Sequence, residues 1–428
     1  MKRLLLHGLL CVWIFGVCTQ GVARPPNFVV IFTDDLGYGD LGVQGHPSLR
    51  TPNLDRMAAE GARFTDFYSA APVCTPSRAA LLTGRYPLRS GMCQMGSSRS
   101  VLFPNSPGGL PPGEVTVAEL LREAGYATAH VGKWHLGIHP GSRPQDQGFD
   151  QTFGLPYSND MDAVPSLPKG AAMSPQPPAD GWNVPLLRNG TVVEQPADQT
   201  LLTRRYTDES LAFIRAHKER PFFLYLAHSM PHVPLFASPR FKGRSARGLY
   251  GDTVEEIDAS TGEILAALRA EGLAENTLVI FTSDNGPWLT QGAQGGSAGL
   301  LREGKGSTWE GGMRVPCIAW MPGTLQPSVI SEPVSALDIF PTLAAIAEVA
   351  LPKGVELDGR NVAPVVLEGA SMPDRPFFYY RGDEIYACRV GPWKLHVRTR
   401  DGFGGSAAEV HNPGLLYQLP NDPYERHD

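Results

Sequence analysis

Four short runs of apolar and β-branched residues organise the chain, at 27–33, 127–131, 222–226 and 277–282. Each is nearly continuous in apolar character, the pattern of a strand covered on both faces rather than one alternating between core and water. Segments of helical periodicity lie between them. Thr51-Pro52 opens one that Gly61 closes, and Thr116 with Glu119 makes a capping box ahead of Leu120-Leu121. A third covers about 252–270 and ends at Gly272. Buried strands alternating with amphipathic helices predict an α/β fold, with a large mixed, mostly parallel sheet flanked by helices.

The two ends of the chain depart from this texture. Lys2 and Arg3 precede an apolar stretch over 4–17, and Gly21-Val22-Ala23 offers small residues for cleavage. Residues 1–23 therefore read as a secretory signal peptide, its apolar part too short for a comfortable membrane span. No later stretch approaches the ~20 apolar residues of a span, so none is expected in the mature chain. A catalytic domain is expected over 24–345. Residues 346–428 read as a small C-terminal α+β subdomain, in which 376–380 and 385–397 form antiparallel strands around Arg381-Gly382-Asp383. Residues 160–200, rich in Pro, Gly and Asn, read as a long loop.

Composition narrows the function class. A hydrophobic fraction of 42% excludes a largely disordered chain. With 47 glycines, 39 prolines and only 19% charged residues, the chain suits a loop-rich enzyme or a lectin-like protein. The net charge of -6, without basic runs, argues against nucleic acid as a partner. Cys11 and Cys18 leave with the signal. The remaining Cys74, Cys93, Cys317 and Cys388 make no disulfide scaffold and no CxxC metal pair.

Each predicted strand runs into a polar cluster at its carboxyl end, where open α/β sheets bind ligands. The clusters are Asp34-Asp35, Gly132-Lys133-Trp134-His135, His228-Ser229-Met230-Pro231-His232 and Ser283-Asp284-Asn285-Gly286. Asp34, Asp35, Asp284 and Asn285 offer oxygen only, which suits Ca²⁺ or Mg²⁺ rather than zinc. Taken singly, each pair reads better as a turn or a helix cap; taken together, following two strands, they favour the metal. Cys74-Thr75-Pro76-Ser77-Arg78 suits a helix start, which would place Cys74 at the positive end of a helix dipole and favour an anionic substrate. A buried structural cysteine is the ordinary alternative. Three motif matches fail. Gly295-Gly296-Ser297-Ala298-Gly299 follows no strand, so it is no nucleophile elbow. The spacing from Gly299 to Gly304-Lys305 puts Gly306 where a phosphate loop needs Ser or Thr. His135 and His139 lack the intervening Glu of a zinc helix.

Cys74-Thr75-Pro76-Ser77-Arg78 through Thr83-Gly84-Arg85, and Gly125-Tyr126 through Lys133-Trp134-His135, resemble the two signatures of the sulfatase family. Asp34 through Asp40, Ser283 through Gly286 and Gly304-Lys305-Gly306 fit as well. The resemblance implies an alkaline-phosphatase-like fold and a sulfuric-ester hydrolase acting on an aryl sulfate or sulfated sugar. It implies that a formylglycine-generating maturation enzyme converts Cys74, and that Asp34, Asp35, Asp284 and Asn285 hold Ca²⁺, with Mg²⁺ the alternative. Arg78 would support the hydrated aldehyde and His135 would take its second proton. Lys133 and Lys305 would bind sulfate oxygens, His232 or Lys305 would protonate the leaving alcohol, and Ser158 would orient the nucleophile or His135. Taken alone, the two lysines read as solvated surface groups and the two histidines as packed ones. Ser229-Met230-Pro231-His232 departs from the family pattern and leaves the substrate open. Without the animal enzymes' disulfides, the chain suits a secreted or periplasmic location better than a lysosomal one. Two further readings stand beside this one: a phosphonate monoester or phosphodiester hydrolase of the same superfamily, and a secreted glycan-binding pseudo-enzyme. The second would predict a missing catalytic side chain, and every carried-over position is present.

Overall fold

A computed structural model describes residues 24–93 and 100–428. The signal peptide expected at 1–23 lies outside them. The strands in chain order are β1 (Asn27–Thr33), β2 (Ala62–Phe64), β3 (Phe67–Tyr68), β4 (Ala127–Gly132), β5 (Gln151–Gly154) and β6 (Leu186–Arg188). There follow β7 (Thr191–Glu194), β8 (Phe222–Ala227), β9 (Thr277–Ser283), β10 (Cys317–Trp320), β11 (Ser328–Ile330) and β12 (Val334–Ser335). The last four are β13 (Phe377–Arg381), β14 (Glu384–Val390), β15 (Trp393–Thr399) and β16 (Glu409–Gln418). Ten strands form one sheet in the order β11-β2-β10-β9-β1-β8-β4-β5-β6-β7. Its centre, β9-β1-β8-β4-β5, is parallel throughout, and β10 and β6 flank it antiparallel.

The continuous apolar runs have the cause that their pattern predicts. All seven residues of β1 are buried, and successive side chains feed opposite cores. Val29 and Ile31 join Leu54 of α1 (Pro52–Glu60), Tyr206 of α4 (Leu202–Ala216) and Ile257 of α5 (Gly248–Ala270). Phe28, Val30 and Phe32 join Leu81 of α2 (Cys74–Thr83), Leu121 of α3 (Val117–Glu123) and Phe340 of α7 (Ile339–Ile346). Each such side chain contributes about 1.5–3 kcal/mol by leaving water, so a polar substitution in β1 would injure one core or the other according to its position. The capping box at Thr116 and Glu119 forms as expected.

Three expectations change. The third helix begins at Gly248, ahead of 252. The loop at 160–200 carries the hairpin β6–β7, which widens the large sheet. The single run at 385–397 is two strands, β14 and β15, separated at Gly391-Pro392. With β13 and β16 they make a four-stranded antiparallel sheet. No helix among the described residues is long and apolar enough to cross a membrane.

Candidate active site

Strand register sets the site. Thr33 of β1 stands opposite Ser283 of β9, so Asp34 and Asp284 leave neighbouring strands at one level. Gly132 of β4 stands opposite Ala227 of β8, which brings Lys133 and His228 to the same edge. Asp35 and His135 then turn with positive φ of 67° and 60°, an uncommon backbone for side-chain-bearing residues that clusters at functional sites. From the helical layer α2 begins at Cys74, which is buried, and presents Arg78 one turn on.

These elements bring the sequence-predicted residues together. Arg78 Nη2 lies 3.0 Å from Asp284 Oδ2 and 3.4 Å from Asp34 Oδ2. Lys133 Nζ pairs with Asp34 Oδ2 and donates to Ser158 Oγ at 3.1 Å. Lys305 Nζ lies 2.8 Å from Asp35 Oδ1 and 2.9 Å from Oδ2. Asn285 Nδ2 donates to Asp35 Oδ1 at 2.7 Å, and His232 Nε2 stands 3.7 Å from Asp35 Oδ2. Donor atoms of Asp34, Cys74 and Asp284 all lie within 4.8 Å of one another, and so do those of Asp34, Asp35 and His232. His135 joins through its backbone carbonyl, which accepts from Thr75 Oγ1 at 3.1 Å. The reading of Lys133 and Lys305 as solvated lysines fails, since they are 0% and 5% exposed.

Burial and charge act against each other on every member. Burial pushes Asp34 up, but Lys133, His232, Arg78 and Lys305 outweigh it and hold the carboxyl far below the usual range. Asp284 goes the other way, raised by burial and by the Asp34 charge beside it. Burial raises the Cys74 thiol to about 11 despite the nearby lysines. It lowers His232, helped by Lys305, and lowers His135 well below the histidine range, helped by Lys133. His135 Nε2 shares its hydrogen bond with the Leu102 carbonyl at 2.7 Å, so Nε2 carries the proton and Nδ1 is the free base. Three carboxyl groups thus face one arginine and two lysines. Even so, Asp34 Oδ1 and Asn285 Oδ1 are buried without a hydrogen-bond partner among the described residues. Unpaired oxygen acceptors inside an all-oxygen donor set fit a hard divalent cation.

Sequence reasoning missed the residues that brace this set. Asp40 Oδ2 accepts from Gly37 N at 2.7 Å and Tyr250 Oη at 2.6 Å, bolting the turn after Asp35 to α5. Ser283 Oγ accepts from Leu36 N at 3.0 Å. Asp40 sits in the Gly37–Asp40 turn already singled out, so a signal existed. Trp288, which packs on Lys305, carried none.

Oxygen donors interleaved with lysine and arginine, at the carboxyl edge of a mostly parallel sheet and facing a cysteine at a helix start, suit an anionic ester. The chain belongs to the sulfatase family, matching it over residues 26–349 and matching the C-terminal region of aryl-sulfatase over 372–428. It is 45% identical to human arylsulfatase A, over 95% of this chain and 84% of that protein. It is 44% identical to human N-acetylgalactosamine-6-sulfatase, over 96% of this chain and 83% of that protein. Among solved structures, a Pseudoalteromonas sp. sulfatase superposes with a TM-score of 0.81 at 32% identity, covering 94% of this chain and 85% of that one. The chain is a sulfatase, an enzyme of sulfate-ester hydrolysis.

Proposed function

We propose that the enzyme hydrolyses an aryl sulfate or a sulfated sugar with a formylglycine made from Cys74 by a separate maturation enzyme, and with a divalent cation, Ca²⁺ or Mg²⁺, held by Asp34, Asp35, Asp284 and Asn285. The observation that carries this reading is the pairing of orphaned oxygens with a cysteine unsuited to act as it stands. Burial raises the Cys74 thiol, whereas the thiolate is the nucleophile of cysteine chemistry. A thiosulfate, moreover, has no internal route to expel sulfate. A hydrated aldehyde at position 74 supplies two hydroxyls, one to displace the alcohol from sulfur and one to drive sulfate out again. The cation would supply positive charge to the sulfate oxygens.

The chain's own residues divide the remaining work. Arg78 holds its charge beside position 74 and braces Asp34 and Asp284. Lys133 and Lys305 meet the charge that grows on sulfate oxygens in flight. His232 or Lys305 gives a proton to the leaving alcohol oxygen, and His135 Nδ1 takes one from the second hydroxyl. Ser158 holds Lys133 in place. The two relatives named above carry an aryl and an amino-sugar substrate in their names, so both classes stay in the proposal. The basic and apolar pattern at 1–23 supports export, to the medium or a periplasm.

Peptide mass spectrometry across residues 70–78, with a hydrazide probe for the aldehyde, tests the nucleophile. Active protein should carry the oxidised residue, and Cys74→Ala should fold and be inactive. Fully active enzyme with only unmodified thiol at position 74 would falsify the mechanism. Preferred turnover of a nitrophenyl phosphodiester over nitrophenyl sulfate would favour the phosphonate and phosphodiester class instead.

A further inference from the structure

Trp288 follows the Asp284–Gly286 turn by two residues and lies half-buried against three groups. Lys305 Nζ stands 4.4 Å from the centroid of its indole. The His232 ring is 5.4 Å away, centroid to centroid and tilted by 56°. Phe403, from the connection between β15 and β16, backs the indole at 5.4 Å. The same short segment also holds the lysine's backbone, because Lys305 N donates to the Pro287 carbonyl at 2.9 Å. That approach needs Gly304, where an added Cβ would fall 2.2 Å from Pro287 O. Phe403 in turn reaches Gly306, where a Cβ would meet its ring at 3.3 Å.

A lysine ammonium is a compact charge on a flexible four-carbon stem, with three donors free to rotate. Asp35 fixes one side of the Lys305 charge, at 2.8 and 2.9 Å. The indole face covers another side, attracting the cation through its quadrupole and excluding water, which strengthens the attraction. The indole Nε1 is buried with no hydrogen-bond partner among the described residues, so packing rather than a hydrogen bond sets the ring's place.

We infer that Trp288 is a positioning residue of the reaction: its ring holds the Lys305 ammonium and the His232 imidazole in the arrangement at which both face Asp35 and the sulfate ester. The inference rests on the proposed action of Lys305 on that ester. It separates the π face, which phenylalanine keeps, from mere apolar bulk, which leucine keeps.

Trp288→Leu, Trp288→Phe and Lys305→Ala are compared with the parent on 4-nitrophenyl sulfate, each with a melting curve. The leucine variant should lose about tenfold or more in kcat while KM moves less, and the phenylalanine variant should recover most of that loss. Their melting temperatures should be alike. Trp288→Met carries the same comparison if the leucine variant does not fold. A leucine variant as fast as the parent, or a phenylalanine variant as slow as leucine, overturns the inference. Lys305→Ala distinguishes the two possible failures. If that variant keeps its kcat, the proposed role of Lys305 is wrong; if it is slow and Trp288→Leu is not, only the role of Trp288 is wrong.

Discussion

Two buried charge clusters lie within a few residues of each other along the chain, and they are built on opposite principles. Beneath the C-terminal sheet, Glu310 Oε2 accepts from Tyr68 Oη at 2.7 Å, and Oε1 accepts from Tyr379 Oη at 2.9 Å and Lys394 Nζ at 3.0 Å. Glu425 Oε1 takes Lys394 Nζ at 2.9 Å and His396 Nε2 at 2.6 Å, while Oε2 accepts Glu310 N at 2.8 Å. Every carboxylate oxygen of that pair has a partner. Burial pushes Glu310 up, yet Lys394, Arg314 and Arg389 hold it down at about 2. At the strand ends, by contrast, Asp34 Oδ1 and Asn285 Oδ1 have none. A low-dielectric interior strengthens satisfied networks and penalises unsatisfied groups. A cluster whose carboxylate oxygens are all paired is therefore architecture, even with His396 Nδ1 unpartnered among the described residues, and a cluster with open oxygens marks where a hard cation belongs. The two clusters are joined along the chain: Tyr68 lies six residues ahead of Cys74, and Glu310 five after Lys305.

The largest expected effect tests the closed cluster. Lys394→Met leaves two buried glutamates without their shared cation and should cost about 3–5 kcal/mol in denaturant unfolding. A loss under ~1 kcal/mol would erase the contrast. Lys305→Ala probes the open cluster and should raise the barrier by about 2.7–4 kcal/mol, seen as a fall of ~10²–10³ in kcat. A surface lysine would change stability by only about ±0.5 kcal/mol. Buried and paired with Asp35, Lys305 should cost more than that when removed, so both kcat and the unfolding midpoint are measured. An unchanged kcat in folded protein would take Lys305 out of the site.

The contrast also explains which parts were legible in the sequence. The strands β1, β4, β8 and β9 announce themselves because burial on both faces leaves the apolar runs nearly unbroken, with Thr128 and His130 of β4 buried among them. Asp34, Asp35, Lys133, His232, Asp284 and Asn285 are legible as neighbours because each closely follows such a strand. Lys305 follows no strand, and only the family resemblance places it. The short strands β2, β3 and β11 have two or three residues, too few to show a period. The hairpin β6–β7 had a signal that went unread: Asn189-Gly190 takes φ of 49° and 79°, the positive pair of a two-residue hairpin turn. The closed cluster hides for a different reason. On β15 the inward positions are Lys394 and His396, both 0% exposed, while Trp393, Leu395 and Val397 point out at 40–46%. The hydrophobic pattern is inverted there, so alternation identifies the strand but assigns the wrong face to the core.

A smaller effect sharpens the open half of the comparison. Chelated protein should gain about 2.7 kcal/mol when Ca²⁺ or Mg²⁺ is restored at a hundredfold over its Kd, because an ion bound only by the native state stabilises it by mass action. The gain should be much reduced in Asp284→Asn, which keeps the shape and removes a donor charge. Melting curves of exhaustively chelated protein with and without each ion read this directly, independent of turnover. Identical curves with and without ion, at concentrations that support full activity, would show that the orphaned oxygens hold no cation.

The smallest effect concerns a buried group at the same strand-end level that belongs to neither cluster. His228 follows β8, is 0% exposed, and neither ring nitrogen has a hydrogen-bond partner among the described residues. Burial lowers it to about 3, so at neutral pH it is an uncharged orphan where its neighbours are ions. Because its folded value lies below the unfolded ~6.5, the unfolded chain takes up the proton first. The stability it leaves intact above about pH 6.5 is then lost progressively as pH falls toward 3. Between pH 7 and 5.5 the loss attributable to this group is about 1 kcal/mol. His228→Leu should remove that part of the slope, so the difference in unfolding free energy between variant and parent should move by that amount in the variant's favour. Parallel pH profiles would mean that His228 is hydrated or paired in solution, and that an unpartnered nitrogen at this edge marks a water site rather than a neutral core residue.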